Sequence, residues 1–259
     1  MDQTGGFGAE RELSAELDVF PPPQQRRWTV LLRLILAIPH LVVLWALSIA
    51  TFFVALCGWF GALFTGRLPQ WCGDFLRSYI AYLARVSGYL MLMVDVYPPF
   101  SLDIAADYPV RTWFPPPTEL NRAAVLFRLF LAIPILALTS WFMSGWAFIS
   151  LILWLIVLIT GRMPRTIFEA TAAILRIQLR VDTYFYMLSP TYLKGVFGDG
   201  PEPPPGTVPL ASPTRPLFIS QGARILMIVM LIIGILSGFA NSVTSSDDTN
   251  DDSTSQYSN

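Results

Sequence analysis

Two long apolar stretches dominate the chain. Thr29 to Phe64 is 36 residues with a single charge, Arg33, and Ala124 to Ile159 repeats the pattern with Arg128. As one straight helix either stretch would reach about 54 Å, nearly twice the hydrocarbon thickness of a bilayer. Two arrangements satisfy that length: a hairpin of two short helices, or an interfacial lead-in followed by one span. Thr139-Ser140 and Ser144-Gly145 place turn-tolerant residues in the middle of the second stretch, which favours the hairpin. The arginines favour it too. Arg26, Arg27 and Arg33 stand at one end of the first stretch, and Arg67, Arg77 and Arg85 follow the other. The positive-inside rule then asks for both ends in the cytoplasm, which an even number of crossings provides. Arms of about 16–18 residues would dip deeply into the bilayer or thin it.

Each stretch closes on the same string, Thr65-Gly66-Arg67 with Pro69 and Thr160-Gly161-Arg162 with Pro164. A glycine just past a helix end supplies a left-handed cap, the arginine reaches headgroups, and the proline bars continuation. Amphipathic helices are predicted next, over Trp71 to Val94 and Thr166 to Leu188. Asp74, Arg77, Ala81, Arg85 and Gly88 share one stripe, as do Glu169, Ala173, Arg176, Arg180 and Thr183, opposite wide apolar faces. That pattern suits a helix lying at the membrane interface. Alternation at Phe100, Leu102 and Ile104, then at Val110, Thr112 and Phe114, predicts short surface strands in the linker. The last apolar run, Ile225 to Ala240, reads as one transmembrane helix. Its Gly234 and Gly238 have the small-residue spacing that lets helices approach closely. No basic residue follows Arg224, and a tail rich in Asp, Ser, Thr and Asn should be disordered and external.

Sliding the first module by 95 positions reveals a duplication. Arg33-Leu34 falls on Arg128-Leu129, Leu36-Ala37-Ile38-Pro39 on Leu131-Ala132-Ile133-Pro134, Trp59 on Trp154, Arg85-Val86 on Arg180-Val181, and Tyr89 on Tyr184. A period this long without gaps marks a repeated structural module. The expected architecture is an all-α membrane protein: a flexible cytoplasmic N-terminus (1–24), a first module (25–102), a Pro-rich linker (103–120) and a second module (121–190). A Pro/Gly-rich linker (191–218), a transmembrane helix (219–241) and a disordered acidic tail (242–259) follow. The proline triplets Pro21-Pro22-Pro23, Pro115-Pro116-Pro117 and Pro203-Pro204-Pro205 read as stiff spacers before each membrane segment.

Composition supports the membrane reading. The 259 residues are 54% hydrophobic and only 14% charged, and a net charge of −1 gives a nucleic acid nothing to bind. Cys57 and Cys72 form no framework and read as apolar fillers. The polar start has no apolar signal-peptide core.

The string Arg33-Leu-Ile-Leu-Ala-Ile-Pro-His40, with Phe64-Thr-Gly-Arg-Leu-Pro69, Arg85-Val-Ser-Gly-Tyr89 and Tyr97-Pro-Pro-Phe-Ser-Leu102, resembles the bacterial DUF4389 family. The resemblance covers roughly residues 25–190 as two copies and implies an integral membrane protein with no assigned activity. The second copy departs at Ile135, which replaces His40, and at Ser189-Pro190, where the Tyr-Pro-Pro-Phe string would fall.

Candidate chemistry is sparse. His40 is the only histidine, intramembrane acids are absent, and no phosphate-binding or dinucleotide motif is found. No cofactor and no metal is expected. What stands out is Arg33 and Arg128, one turn inside apolar stretches. Such a residue snorkels to water, or its guanidinium grips a lipid phosphate or a partner carboxylate. With Arg67, Arg162, Arg85 and Arg180 they are the candidate lipid- or partner-binding residues. The expected function is a non-enzymatic scaffold or accessory subunit of the cell membrane, its partners the bilayer, anionic phospholipid, and another membrane protein or a second copy meeting Gly234 and Gly238. The alternative is a lipid-binding or lipid-transfer component.

Overall fold

The computed structural model describes residues 14–104, 107–199 and 212–255. Its elements in chain order are β1 (Glu16–Val19), α1 (Arg27–Thr65), α2 (Gln70–Leu90), β2 (Val110–Trp113), α3 (Arg122–Thr160), α4 (Arg165–Phe185) and α5 (Gln221–Ser255). The chain is mostly helical, and α1, α3 and the Gln221–Ala240 part of α5 are long and apolar enough to cross a membrane.

Each apolar stretch is one continuous 39-residue helix, where a hairpin was expected. The turn-tolerant residues do not break it, because their hydroxyls fold back onto the helix. Thr139 Oγ1 donates to the Ile135 carbonyl at 2.8 Å, and in α1 Ser48 Oγ donates to the Trp45 carbonyl at 2.7 Å. The helix does not run evenly beside its neighbour. His40 meets Tyr82 of α2, and Gly58 lies against Cys72 of α2. Between those points α1 spends 18 residues and α2 only 10, and Leu47, Thr51, Val54 and Ala55 keep the middle of α1 on the core. The left-handed caps form as predicted: Gly66 (φ 76°) and Gly161 (φ 68°) donate to Ala62 and Val157 carbonyls.

Three layers result. β1 and β2 pair antiparallel, with Leu17 opposite Thr112 and Val19 opposite Val110. β2 packs on α2 and β1 on α4, α2 and α4 pack on each other, and α1, α3 and α5 form the far layer. Helices form where amphipathic ones were expected, ending earlier at Leu90 and Phe185, but α4 is buried along most of its length, so its stripe meets protein, not an open interface. Of the alternating linker residues only Val110–Trp113 form a strand; its partner is Glu16–Val19, in the stretch expected to be flexible. Leu17 and Val19, fully buried, are what tie it down. A helix also continues to Ser255, where disorder was expected, because no Gly or Pro after Gly238 stops it. The Pro203-Pro204-Pro205 spacer lies outside the described residues.

The modules are joined end to end in opposite directions. Gln25 N–H donates to the Gly161 carbonyl, and Leu120 N–H to the Gly66 carbonyl, both at 2.8 Å. Trp59 Nε1 reaches the Val125 carbonyl at 3.2 Å, and Trp154 Nε1 the Val30 carbonyl at 2.8 Å. Each module thus supplies its repeated tryptophan to the start of the other's long helix.

Candidate functional site

The two arginines one turn inside the apolar stretches play the same part in both modules. Arg33 Nη1 donates to the Tyr89 carbonyl at 2.7 Å, and Arg128 Nη1 to the Tyr184 carbonyl at 3.0 Å. Each guanidinium lies over the ring of that same tyrosine, 4.5 and 4.4 Å from the centroid. They are 2% and 4% exposed. The carbonyls end α2 and α4, where unpaired acceptors and the helix dipole both favour a cation. The chain then turns through Leu92 and Met187, each at φ 63°. A leucine or methionine held left-handed costs about 1–2 kcal/mol, and the guanidinium fastens the helix end that imposes it.

The second bonds differ. Arg33 Nη2 reaches Gln25 Oε1 at 3.2 Å and lies 3.6 Å from Asp95, which also accepts from Thr29 Oγ1 at 2.5 Å. Arg128 Nη2 donates to the Ser189 carbonyl at 3.3 Å and has no carboxylate partner among the described residues. Both arginines are therefore held within the chain, Arg33 by a helix-end carbonyl with Gln25 and Asp95, and Arg128 by two backbone carbonyls, where a lipid phosphate or a partner carboxylate was expected. Arg85 and Arg180 are likewise turned inward: Arg85 Nη2 donates to the Ser101 carbonyl at 2.6 Å, and Arg180 Nη2 to Glu16 Oε1 at 2.6 Å. Arg67 and Arg162 alone of the six are exposed, and Arg67 pairs with Glu119 at the surface. The six are not gathered into one site, since Arg33 and Arg67 lie at opposite ends of α1.

His40 is fully buried, its Nδ1 2.6 Å from Tyr82 Oη and its ring stacked on Phe100 at 4.1 Å and near Tyr97 at 4.8 Å. The repeat also runs further than the Ser189-Pro190 departure suggested. Tyr97 Oη donates to the Leu36 carbonyl at 3.2 Å, and Tyr192 Oη, 95 positions on, to the Leu131 carbonyl at 3.3 Å. Both carbonyls lie three residues before the in-helix prolines Pro39 and Pro134, where the ladder is disturbed.

A polar cluster that sequence reasoning missed covers the face of α4 that meets β1. Arg176, 1% exposed at its side chain, lies 2.7 Å from Asp199 and 4.0 Å from Glu16, and Arg215 pairs with Asp18 at 3.1 Å. Burial lowers the Arg176 guanidinium; burial also raises the Asp199 carboxyl, but Arg176 more than reverses this and holds it low. Beside it Glu16, Trp113, Phe114, Asp199 and Arg215 line a cavity of about 390 Å³. The only sequence signal was Arg176 and Arg180 on one turn, asking for carboxylates from elsewhere. A second cavity, about 360 Å³, lies at the start of α2 between Arg67, Gln70, Arg77 and Glu119, floored by Met187 and Leu188. Among the described residues no group of His, Cys, Asp or Glu could hold a metal ion.

In the far layer α5 crosses α3 so closely that a Cβ at Gly145 would collide with the Met230 carbonyl, and one at Gly234 with the Trp141 carbonyl. Gly234 thus serves a contact within the chain, and Gly238 lies beside the Trp141 ring.

Residues 27–101 and 122–192 each match the domain of unknown function DUF4389. No curated protein and no solved structure matches the chain. The two matched segments begin at the first residues of α1 and α3, take in α2 and α4, and cover more than half of the sequence, so the chain belongs to the DUF4389 family as a tandem pair of its domains.

Proposed function

We propose that this protein is a non-enzymatic scaffold or accessory subunit of a membrane complex. The observation that carries the reading is where its polar and apolar groups go. Arg33, Arg128, Arg85, Arg176 and Arg180 are consumed in fastening loops and helix ends of the chain itself. What faces outward on α1, α3 and α5 is an apolar surface suited to lipid and to other helices, with Phe52, Phe148 and Leu236 each well exposed. The three-layer body would sit with α1 and α3 in the bilayer, α2 and α4 at the interface, and the strands on the cytoplasmic side. The end of α5 would then lie outside. Purification from native membranes in mild detergent tests the reading: a protein recovered in stoichiometric amount supports it, and recovery of the chain alone overturns it.

A second reading, lipid binding, is favoured by the cavity at Arg67 and Arg77, which has the size for a headgroup below exposed Phe64 and Trp71, where an anionic headgroup would take Arg67 from Glu119 and Arg77 from Asp74. Arg67, and Arg162 at the corresponding point of the second module, would make that contact. Enrichment of anionic phospholipid with the purified chain, reduced in Arg67→Gln, would support it.

A further inference from the structure

Gly73 and Arg77 lie four residues apart on α2 and share one of its faces. The cavity of about 360 Å³ opens there, at the small end of the range for ligand sites, roughly 300–1,000 Å³. The glycine keeps it open. A Cβ at Gly73 would already touch Arg77 Nη1 and Leu68 Cδ2, each at 3.4 Å, so any larger side chain would stand in the opening. At the corresponding points the second module has Phe168 and Ala172, both buried, and the counterpart of Glu119 is Gln24. The first module alone therefore combines the space, two guanidiniums and a carboxylate.

The charges of this wall are already balanced. Arg77 Nη1 donates to Asp74 Oδ1 at 3.0 Å, and Arg67 pairs with Glu119. A ligand bringing only negative charge takes the two arginines and leaves two carboxylates facing it. A ligand that carries a phosphate and an ammonium exchanges pair for pair. Its phosphate takes the guanidiniums, its ammonium takes Glu119, and wall and ligand together still sum to zero. The exchange opens a pair that holds little, because the Arg67 and Glu119 side chains are 71% and 77% exposed. The ammonium is primary by the same chemistry. No aromatic ring lines the cavity to cage a trimethylammonium, whereas the Glu119 carboxylate accepts N–H bonds.

We propose that this cavity takes a phosphoethanolamine headgroup, its phosphate at Arg67 and Arg77 and its ammonium at Glu119. The inference rests on the lipid-binding reading of the cavity and names the headgroup. Phe64 and Trp71, both well exposed, give the site the aromatic flank of a membrane interface, and the acyl chains would lie along α1.

The test reconstitutes the full chain in nanodiscs with equal amounts of phosphatidylethanolamine, phosphatidylcholine and phosphatidylglycerol. The chain is then extracted in mild detergent, and the lipid it retains is weighed by native mass spectrometry. The expected result is one phosphatidylethanolamine per chain, favoured roughly fivefold over either other lipid. Arg67→Gln should lower its retention several-fold. Glu119→Gln should abolish the preference and raise phosphatidylglycerol several-fold, since the wall then carries one net positive charge. Both residues are exposed, so an unchanged melting temperature should accompany both changes. Equal retention of phosphatidylethanolamine and phosphatidylcholine, or a preference that survives Glu119→Gln, overturns the proposal. Phosphatidylglycerol in excess of phosphatidylethanolamine on the parent, reduced in Arg67→Gln, also overturns it while leaving the lipid reading standing. Retention indifferent to both variants overturns both. Soluble glycerophosphoethanolamine in equimolar amount should leave the lipid in place, and displacement by it would overturn the lipid as the source.

Discussion

Residues 27–101 and 122–192 are copies of one domain that have been put to different use. What they share closes a module upon itself or joins it to its twin: the arginine on the tyrosine carbonyl, the left-handed glycine cap, the exchanged tryptophan, the tyrosine beside the proline. What they do not share faces something else. The first module balances its arginine with Asp95 and cages His40; the second has Pro190 and Ile135 there, with the Ser189 carbonyl taking the arginine's second bond, but carries α5 and the ion cluster of Arg176. The difference teaches that duplication preserved the geometry of the module while freeing its outer faces to diverge.

The comparison breaks most readily at the α3–α5 crossing. Gly145→Leu or Gly234→Leu must force two backbones apart, and the expected cost is about 3 kcal/mol or more. At the cognate exposed position, Ala50→Leu should cost the isolated chain less than about 0.5 kcal/mol. Denaturant unfolding in mixed micelles measures both, and equal losses would mean that the first module's face is also covered.

The arginines sharpen it next. Arg33→Met leaves Asp95 without its buried cation and two carbonyl-side acceptors without a donor, an expected loss of about 3 kcal/mol. Arg128→Met strands only neutral carbonyls and should cost about 1–2 kcal/mol. Lysine should rescue neither fully, since one ammonium cannot span both acceptors in the planar geometry. Identical losses at the two positions in the same unfolding assay would show that Asp95 contributes nothing.

The contrast between modules also explains what was legible in the sequence. The repeat, the two long apolar stretches, their glycine caps and the last apolar helix all follow from periodicity and turn chemistry, which are local. The hairpin failed because Thr139 and Ser48 can satisfy themselves within a helix, a choice that residue type alone does not reveal. The partner of β2 was hidden because β1 lies 91 or more residues earlier, beyond a whole module. Arg33 and Arg128 pointed to an acceptor, but a backbone carbonyl has no letter in the sequence, so a phosphate or carboxylate stood in its place.

A pH dependence separates the modules further. Asp182 of α4 stands where the first module has Ser87, and burial pushes its carboxyl up to about 7. The unfolded chain gives up this proton near pH 4, so between about pH 4 and 7 the unfolded form is favoured progressively, and stability falls by about 1.4 kcal/mol per pH unit as pH rises across that window. Asp182→Asn should remove that slope. Melting at pH 5 and pH 8 in micelles checks it, and an unchanged slope in the variant would assign the dependence elsewhere.

The smallest effect tests the most intimate likeness. Tyr97 and Tyr192 each donate one neutral hydrogen bond to the carbonyl three residues before an in-helix proline, at 3.2 and 3.3 Å, and both are partly open to solvent. Removing either hydroxyl leaves the ring in place, so Tyr97→Phe and Tyr192→Phe should each cost about 0.5–1 kcal/mol. The surroundings differ, however. Tyr97 packs against Tyr89 as Tyr192 packs against Tyr184, but Tyr97 also packs against His40 and Phe100. If the hydroxyl acts only on the helix carbonyl, the two losses agree to within the error of the unfolding measurement, because the phenyl ring keeps every ring contact. If Tyr97→Phe costs at least 1 kcal/mol more, its hydroxyl also orders the histidine cage, and the likeness of the two prolines is no longer the whole account. The same pair with His40→Ile, which gives the first module the residue of the second, should then bring the two losses together.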